Sequence, residues 1–183
     1  MRLEVEQKYR LDSHDPIRRQ LARLGVRADP PVIQIDIYYR HPQRDFAATD
    51  EALRLRRAGS ANWLTYKGPK LDRTTKTRHE IDLSIAGGDH GAATGVELLQ
   101  ALGFLRVAEV RKERQNFQLV RGVWTVEVSL DEIRDLGRFV ELEIVADESD
   151  HEAACQQLAQ LADELGLTQV ERTSYLELLL QLG

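Results

Sequence analysis

The chain has almost nothing to cross-link it. Its 183 residues contain one cysteine, Cys155. No internal disulfide can form, and a reducing compartment is expected. No apolar run approaches the roughly 20 residues that a membrane-spanning helix needs, and no apolar leader opens the sequence. A soluble cytoplasmic protein that engages no membrane is the expectation. Low-complexity tracts, internal repeats and Pro/Gly/Ser-rich linkers are also missing, so a single domain over residues 1–183 is expected. Nor is there an excess of positive charge. The net charge is −5, which implies no general affinity for nucleic acid.

What is present is charge of both signs, regularly placed. Charged residues make up 30% of the chain, above the usual quarter or so, and a hydrophobic fraction of 42% still allows a sizeable core. Four segments read as helices. In SHDPIRRQLARLG, Pro16 follows a capping Asp15, Ile17, Leu21 and Leu24 share a stripe, and Gly25 ends it. The second runs from about Gly91 to Gly103. The third, ESDHEAACQQLAQLADELG, offers a Ser149–Glu152 capping box and ends at Gly166. ERTSYLELLLQLG is the fourth.

The rest reads as strands near 2–11, 33–40, 52–58, 62–69, 76–85, 106–119, 122–131 and 138–146. Side chains on a strand alternate between two faces. In LEVEQKY, Glu4, Glu6 and Lys8 share one face. Arg54 and Arg56 share a face in ALRLRR, with Arg57 turned to the surface. Thr65 and Lys67 do so in LTYK, and Lys76, Arg78, Glu80 and Asp82 in KTRHEID. Further along, Lys112 pairs with Arg114, Glu127 with Ser129 and Asp131, and Glu141 with Glu143. A charged strand face is usually the solvated side of a half-buried sheet. Here the signs are sorted: acids concentrate in the first and last two strands, bases in the third, fourth and sixth. That sorting points to an eight-stranded antiparallel closed β-barrel of the α+β class, with a charged lumen and an apolar outside covered by the four helices. Burying charge of both signs needs a reason. A polyanion with its divalent cations supplies one.

EVEQKY resembles the ExExK signature of the CYTH superfamily, the triphosphate tunnel metalloenzymes. QIDIYYRHPQRDFAATDEALRLRR, LTYKGPK, KTRHEID, KERQNF, LGRFVELEI and SYLELLL resemble, in order, segments of its class IV adenylate cyclase branch. The superfamily also holds thiamine and inorganic triphosphatases. The resemblance spans the chain. It implies a barrel forming a tunnel, a triphosphate such as ATP lying in it, and Mg²⁺ or Mn²⁺ on the acidic side. Carried over, Glu4 and Glu6 match the signature glutamates. With Asp131, Glu141 and Glu143 they are the expected metal ligands, being the oxygen donors such ions prefer. Lys8, Arg54, Arg56, Lys67, Arg78, Lys112 and Arg114 are the expected triphosphate-binding set, with Lys8, Lys67 and Lys76 as catalytic lysines. Glu80, Asp82 and Glu127 read as residues that hold basic side chains in place. Phe117 departs from the family, where an aromatic hydroxyl is often found, and the hairpin between Lys112 and Asp131 is longer than in some relatives.

Other features read as structural. Residues 70–76, KLDRTTK, form a polar loop suited to a lid. His41 and His79 lack the spacing of a zinc site, and Cys155 lies on an amphipathic helix as a core residue. No His, Cys or Ser constellation suits covalent catalysis, so direct in-line displacement is expected. In a cyclase the ribose 3′-hydroxyl attacks the α-phosphorus and pyrophosphate leaves; in a hydrolase water attacks the terminal phosphorus. Cyclase, triphosphatase and non-catalytic nucleotide or polyphosphate binder all stay open, as does assembly into a homodimer.

Overall fold

Among the described residues each of the eight segments with a period of two contributes a strand. The computed structural model describes residues 2–69 and 78–182. In chain order these give β1 (Arg2–Leu11), α1 (Asp15–Arg23), β2 (Val32–Arg40), β3 (Ala52–Ala58), β4 (Ala61–Lys67), β5 (Glu80–Ile85), α2 (Gly88–Ala101), β6 (Leu105–Arg121), β7 (Trp124–Ile133), β8 (Gly137–Asp147), α3 (His151–Glu164) and α4 (Tyr175–Leu180). All strands join one antiparallel sheet of order β1-β8-β7-β6-β2-β3-β4-β5.

The sheet curls until its edges, β1 and β5, approach. Among the described residues they meet at one bridge, Glu4 with Arg78 just ahead of β5. Among the described residues the sheet is curled, with a seam between β1 and β5. β1 uses part of its free edge elsewhere. The C-terminal half of that edge is occupied by the segment before α4. There Arg10 N–H donates to Gln169 O and Glu171 N–H to Lys8 O, both at 2.8 Å. That segment protects an edge that would otherwise invite pairing with another chain.

Outside, the sheet is apolar. Val5, Val126, Val128, Leu130, Val140, Leu142 and Ile144 pack against Ile17 and Leu21 of α1 and Ala154, Leu158 and Leu161 of α3. Phe117 belongs to this core, and Cys155 packs half-buried at its edge. α2 covers β2 and β3 through Ala92 and Leu99 on Ile37, Tyr39 and Leu55. A Cβ at Gly95 would lie 2.8 Å from Leu55 Cδ1 and from Ile85 Cδ1, so a larger residue there would make these two side chains shift.

α4 departs from the expected outer cover. Residues paired directly across a ladder share a face, and Phe139 pairs with both Arg10 and Asp131. Phe139 is thus on the concave side, where it clusters with Tyr38, Val110, Ile133 and with Tyr175 and Leu178 of α4. The helix plugs one end of the lumen, where an apolar patch on the inner face receives it.

Helix starts also differ from expectation. α1 is capped at His14, whose Nε2 meets Phe139 O at 3.1 Å, rather than at Asp15. Glu148–Asp150 form a 3-10 turn, so α3 begins at His151 without a Ser149–Glu152 box. The capping box instead stands at Ser174–Glu177 and opens α4, which is shorter than the fourth apolar segment because residues 169–171 run along β1. Among the described residues no helix is long and apolar enough to cross a membrane.

Candidate active site in the lumen

A cavity of about 910 Å³ occupies the concave side. The order of strands explains its chemistry. β1, β8 and β7 are neighbours, so Glu4, Glu6, Glu141, Glu143 and Glu127 form one acidic wall. The basic strands lie together as well. β6, β3 and β4, with β2 between the first two, set Lys112, Arg114, Arg54, Arg56 and Lys67 on the facing wall, and Arg78 joins them at the seam.

Buried aspartates hold the basic wall. Asp36 on β2 accepts from Arg56 Nε and Nη2, each at 2.7 Å, and Arg54 Nη1 lies 3.5 Å away. Burial alone would raise this carboxyl, but Arg56 and then Arg54 outweigh it and hold it well below the usual range. Asp131 does the same on β7. It is 0% exposed and accepts from Arg114 Nε at 2.7 Å, Arg114 Nη2 at 2.5 Å and Lys112 Nζ at 3.1 Å. Against the push of burial, Arg114 and Lys112 keep it ionised. Burial, followed by the repulsion of Arg114, lowers the Lys112 ammonium to about 8. Arg114 also pairs with Glu141.

The lysines are seated differently. Lys8 Nζ donates to Thr173 O at 2.5 Å and stands 3.9 Å from the Tyr175 ring centroid. Lys67 pairs with Glu80 and lies 3.7 Å from Glu4. Arg78 Nη1 donates to Asp50 O and Gly68 O, both at 3.4 Å.

Burial, with like charge second to it, raises two carboxyls of the acidic wall. Burial and then the charge of Glu143 raise the Glu4 carboxyl to about 9, with Lys67 opposing. Burial, then Glu6 and Glu127, raise Glu143 to about 7. Carboxylate oxygens of Glu4, Glu80 and Asp82 all lie within 4.8 Å of one another. For Glu4 and Glu143, burial and neighbouring acids disfavour the charged form, and a cation beside them would restore it.

The structure gathers Glu4, Glu6, Lys8, Arg54, Arg56, Lys67, Arg78, Lys112, Arg114, Glu141 and Glu143 around one cavity. It puts Asp131 behind the basic wall as a counter-ion, engaged with Lys112 and Arg114. Of the three acids read from the sequence as holders of basic side chains, Glu80 holds Lys67, whereas Asp82 accepts from Thr65 and Glu127 from Asn116 and Ser129; Glu80 and Asp82 also converge with Glu4. Lys76 and the loop 70–76 lie outside the described residues. Arg57 turns out of the lumen and pairs with Asp89 of α2. His41 is a turn residue whose Nδ1 accepts from the backbone of Gln43 and Arg44, at 3.1 and 3.0 Å. Sequence reasoning missed Asp36, although Gln34, Asp36 and Tyr38 alternate with Ile35 and Ile37 in QIDIY. It also missed Tyr175, for which no local signal existed.

A curled antiparallel sheet encloses opposed acidic and basic walls. The chain belongs to the CYTH domain family, whose profile matches residues 2–175. A provisionally named adenylate cyclase of Methanocaldococcus jannaschii is 34% identical over 179 residues, spanning 96% of this chain and 98% of the relative. A Pyrococcus horikoshii protein of solved structure is 40% identical over 98% of this chain and 99% of its own, with a TM-score of 0.85. The fold extends to a provisionally named adenylyl cyclase of Hippeastrum with a dominant triphosphatase activity. That protein is 20% identical, with 96% and 93% of the two chains covered and a TM-score of 0.68.

Proposed function

We propose that the chain is a metal-dependent enzyme that holds a triphosphate in its lumen, and that it converts ATP to cyclic AMP and pyrophosphate. The observation that carries this reading is the opposition of a contiguous acidic wall to a contiguous basic one across a single cavity. Arg54, Arg56, Arg78 and Arg114 offer forked donors to phosphate oxygens, and Lys8, Lys67 and Lys112 offer compact charge. Catalysis at phosphorus rests on positioning and on neutralising charge in the transition state, and these side chains do both. The donors opposite are all carboxylate oxygens, which suits Mg²⁺ or Mn²⁺. Glu4, Glu6, Glu141 and Glu143 would hold the ion, with Glu80 and Asp82 beside Glu4. A bound ion would neutralise phosphate charge and ease formation of the attacking alkoxide.

Two facts favour the cyclase within this reading. The Methanocaldococcus relative is similar along its whole length. The cavity also extends past the charges to Tyr38, Phe46 and Trp63, surfaces that suit a nucleoside better than bare phosphate. The test is one assay with ATP, tripolyphosphate and thiamine triphosphate, each with Mg²⁺ and with Mn²⁺. Cyclic AMP and pyrophosphate from ATP, with tripolyphosphate left intact, are expected. Orthophosphate without cyclic AMP would identify a triphosphatase. Tight triphosphate binding without turnover would identify a binding module.

A further inference from the structure

The lumen contains a donor that the charged walls do not use. We infer that the Tyr175 hydroxyl donates a hydrogen bond to a phosphate oxygen of the bound triphosphate, while its ring seats two of the ammoniums that grip the same ligand. This rests on the reading of the lumen as a triphosphate site.

Tyr175 lines the cavity, yet its residue is buried and its Oη has no hydrogen-bond partner. A buried hydroxyl without an acceptor is costly, so such groups usually have one or await one. Lys8 Nζ stands 3.9 Å and Lys112 Nζ 5.0 Å from the ring centroid, within the range of cation–π attraction. Phe139 meets the ring edge-on at 5.1 Å and fixes its plane. Burial, then Asp131 and Glu141, push its ionisation well above the ordinary range, so the group remains an O–H donor.

The helix that carries Tyr175 is held firmly. Glu177 N–H donates to Ser174 Oγ at 3.2 Å, Ser174 N–H donates to Glu177 Oε2 at 2.7 Å, and Leu178 is buried in the lumen's apolar patch. The hydroxyl is therefore held in one place. An anion drawn to Lys8 and Lys112 is drawn to the neighbourhood of this ring.

Hydroxyl and ring can be separated by two variants. Tyr175→Phe keeps the ring and removes the donor; Tyr175→Leu removes both. Titration calorimetry with tripolyphosphate and Mg²⁺, together with thermal unfolding of the ligand-free proteins, reads the two effects. Tyr175→Phe should unfold at or above the wild-type temperature and bind tripolyphosphate roughly tenfold or more weakly, the effect of one hydrogen bond to a charged group. Tyr175→Leu should bind more weakly still and unfold earlier. Tyr175→Phe binding within about twofold of wild type would overturn the inference and leave the triphosphate site standing. Weak binding by Tyr175→Phe together with earlier unfolding would overturn it too, since packing alone would then explain the loss. Failure of the wild type itself to bind tripolyphosphate would remove the triphosphate site and this inference with it.

Discussion

Asp131→Asn should be the most destabilising single-atom exchange in the lumen. The carboxylate is wholly buried and faces two cations, through contacts of 2.7, 2.5 and 3.1 Å. Removing one partner of a buried ion pair typically costs about 3–5 kcal/mol, because the remaining charge is left uncompensated. Two features bring the expectation to the lower end. Asparagine keeps one acceptor oxygen for Arg114, which also retains Glu141. Lys112 is the worse placed of the two, but burial has already lowered its ammonium to about 8. Without Asp131 it falls further and sheds its proton near neutral pH, which caps the penalty. The loss should thus be about 3 kcal/mol in urea unfolding at pH 7 with an unchanged slope. For a chain of this size that is a fall in Tm of about 6–12 °C. Asp131 ionises below the ordinary carboxylate range, so its stabilisation is present above about pH 4 and disappears as the pH drops through its folded value. The gap between wild type and variant should close on acidification. A loss under about 1 kcal/mol at pH 7 would refute the view of Asp131 as the counter-ion on which this wall depends.

Glu4→Gln should have the opposite sign, with the ligand-free protein melting later because burial and Glu143 disfavour the carboxylate. Its thermal shift with Mn²⁺ and tripolyphosphate should be small where that of the wild type is large, and equal shifts would exclude Glu4 as a ligand. Glu4 and Glu143 ionise at about 9 and about 7 in the folded chain, against roughly 4.3 when unfolded. They favour folding below about pH 4.3 and cease to do so as the pH rises through the folded values. The ligand-free melting temperature should therefore decline between about pH 5 and pH 9, and a level profile would contradict these assignments. Leu161→Ala, in the outer core beneath α3, should cost about 2–5 kcal/mol and leave tripolyphosphate affinity unchanged. A matching loss of affinity would show that core and lumen are not separable.

Much of the fold could be read along single strands. Alternation in EVEQKY, ALRLRR and FVELEI told which residues face inward, because the period of a strand is a local property. The sorting of acids from bases was visible too, but its meaning needed the order β1-β8-β7-β6-β2-β3-β4-β5, which only tertiary pairing creates. The same limit governs the rest. Glu80 and Asp82 meet Glu4 across the seam between the first and fifth strands, a contact of high sequence separation. Asp131 alternates with the lumen residues exactly as Ser129 does, and nothing local says that two cations lie over it. The apolar stripe of α4 resembles that of an outer helix. What receives it inside is Phe139 with Tyr38, Val110 and Ile133, an apolar patch beside the charged residues of the same face. The capping boxes show a similar ambiguity: Ser149–Glu152 and Ser174–Glu177 have the same spacing, and only the second is made.

Two facing walls of opposite sign behave as the plates of a capacitor. The field between them runs across the lumen rather than along it, and the low dielectric of the surrounding protein strengthens it. A bare polyanion would drift to one plate and leave the other uncompensated; a lone cation would do the reverse. A dipolar guest, negative on one side and positive on the other, satisfies both plates at once. Metal and polyphosphate should therefore raise each other's affinity by the same factor, as reciprocity between coupled sites demands. The raised carboxyls of Glu4 and Glu143 are where this coupling acts, since a cation beside them favours their ionised forms.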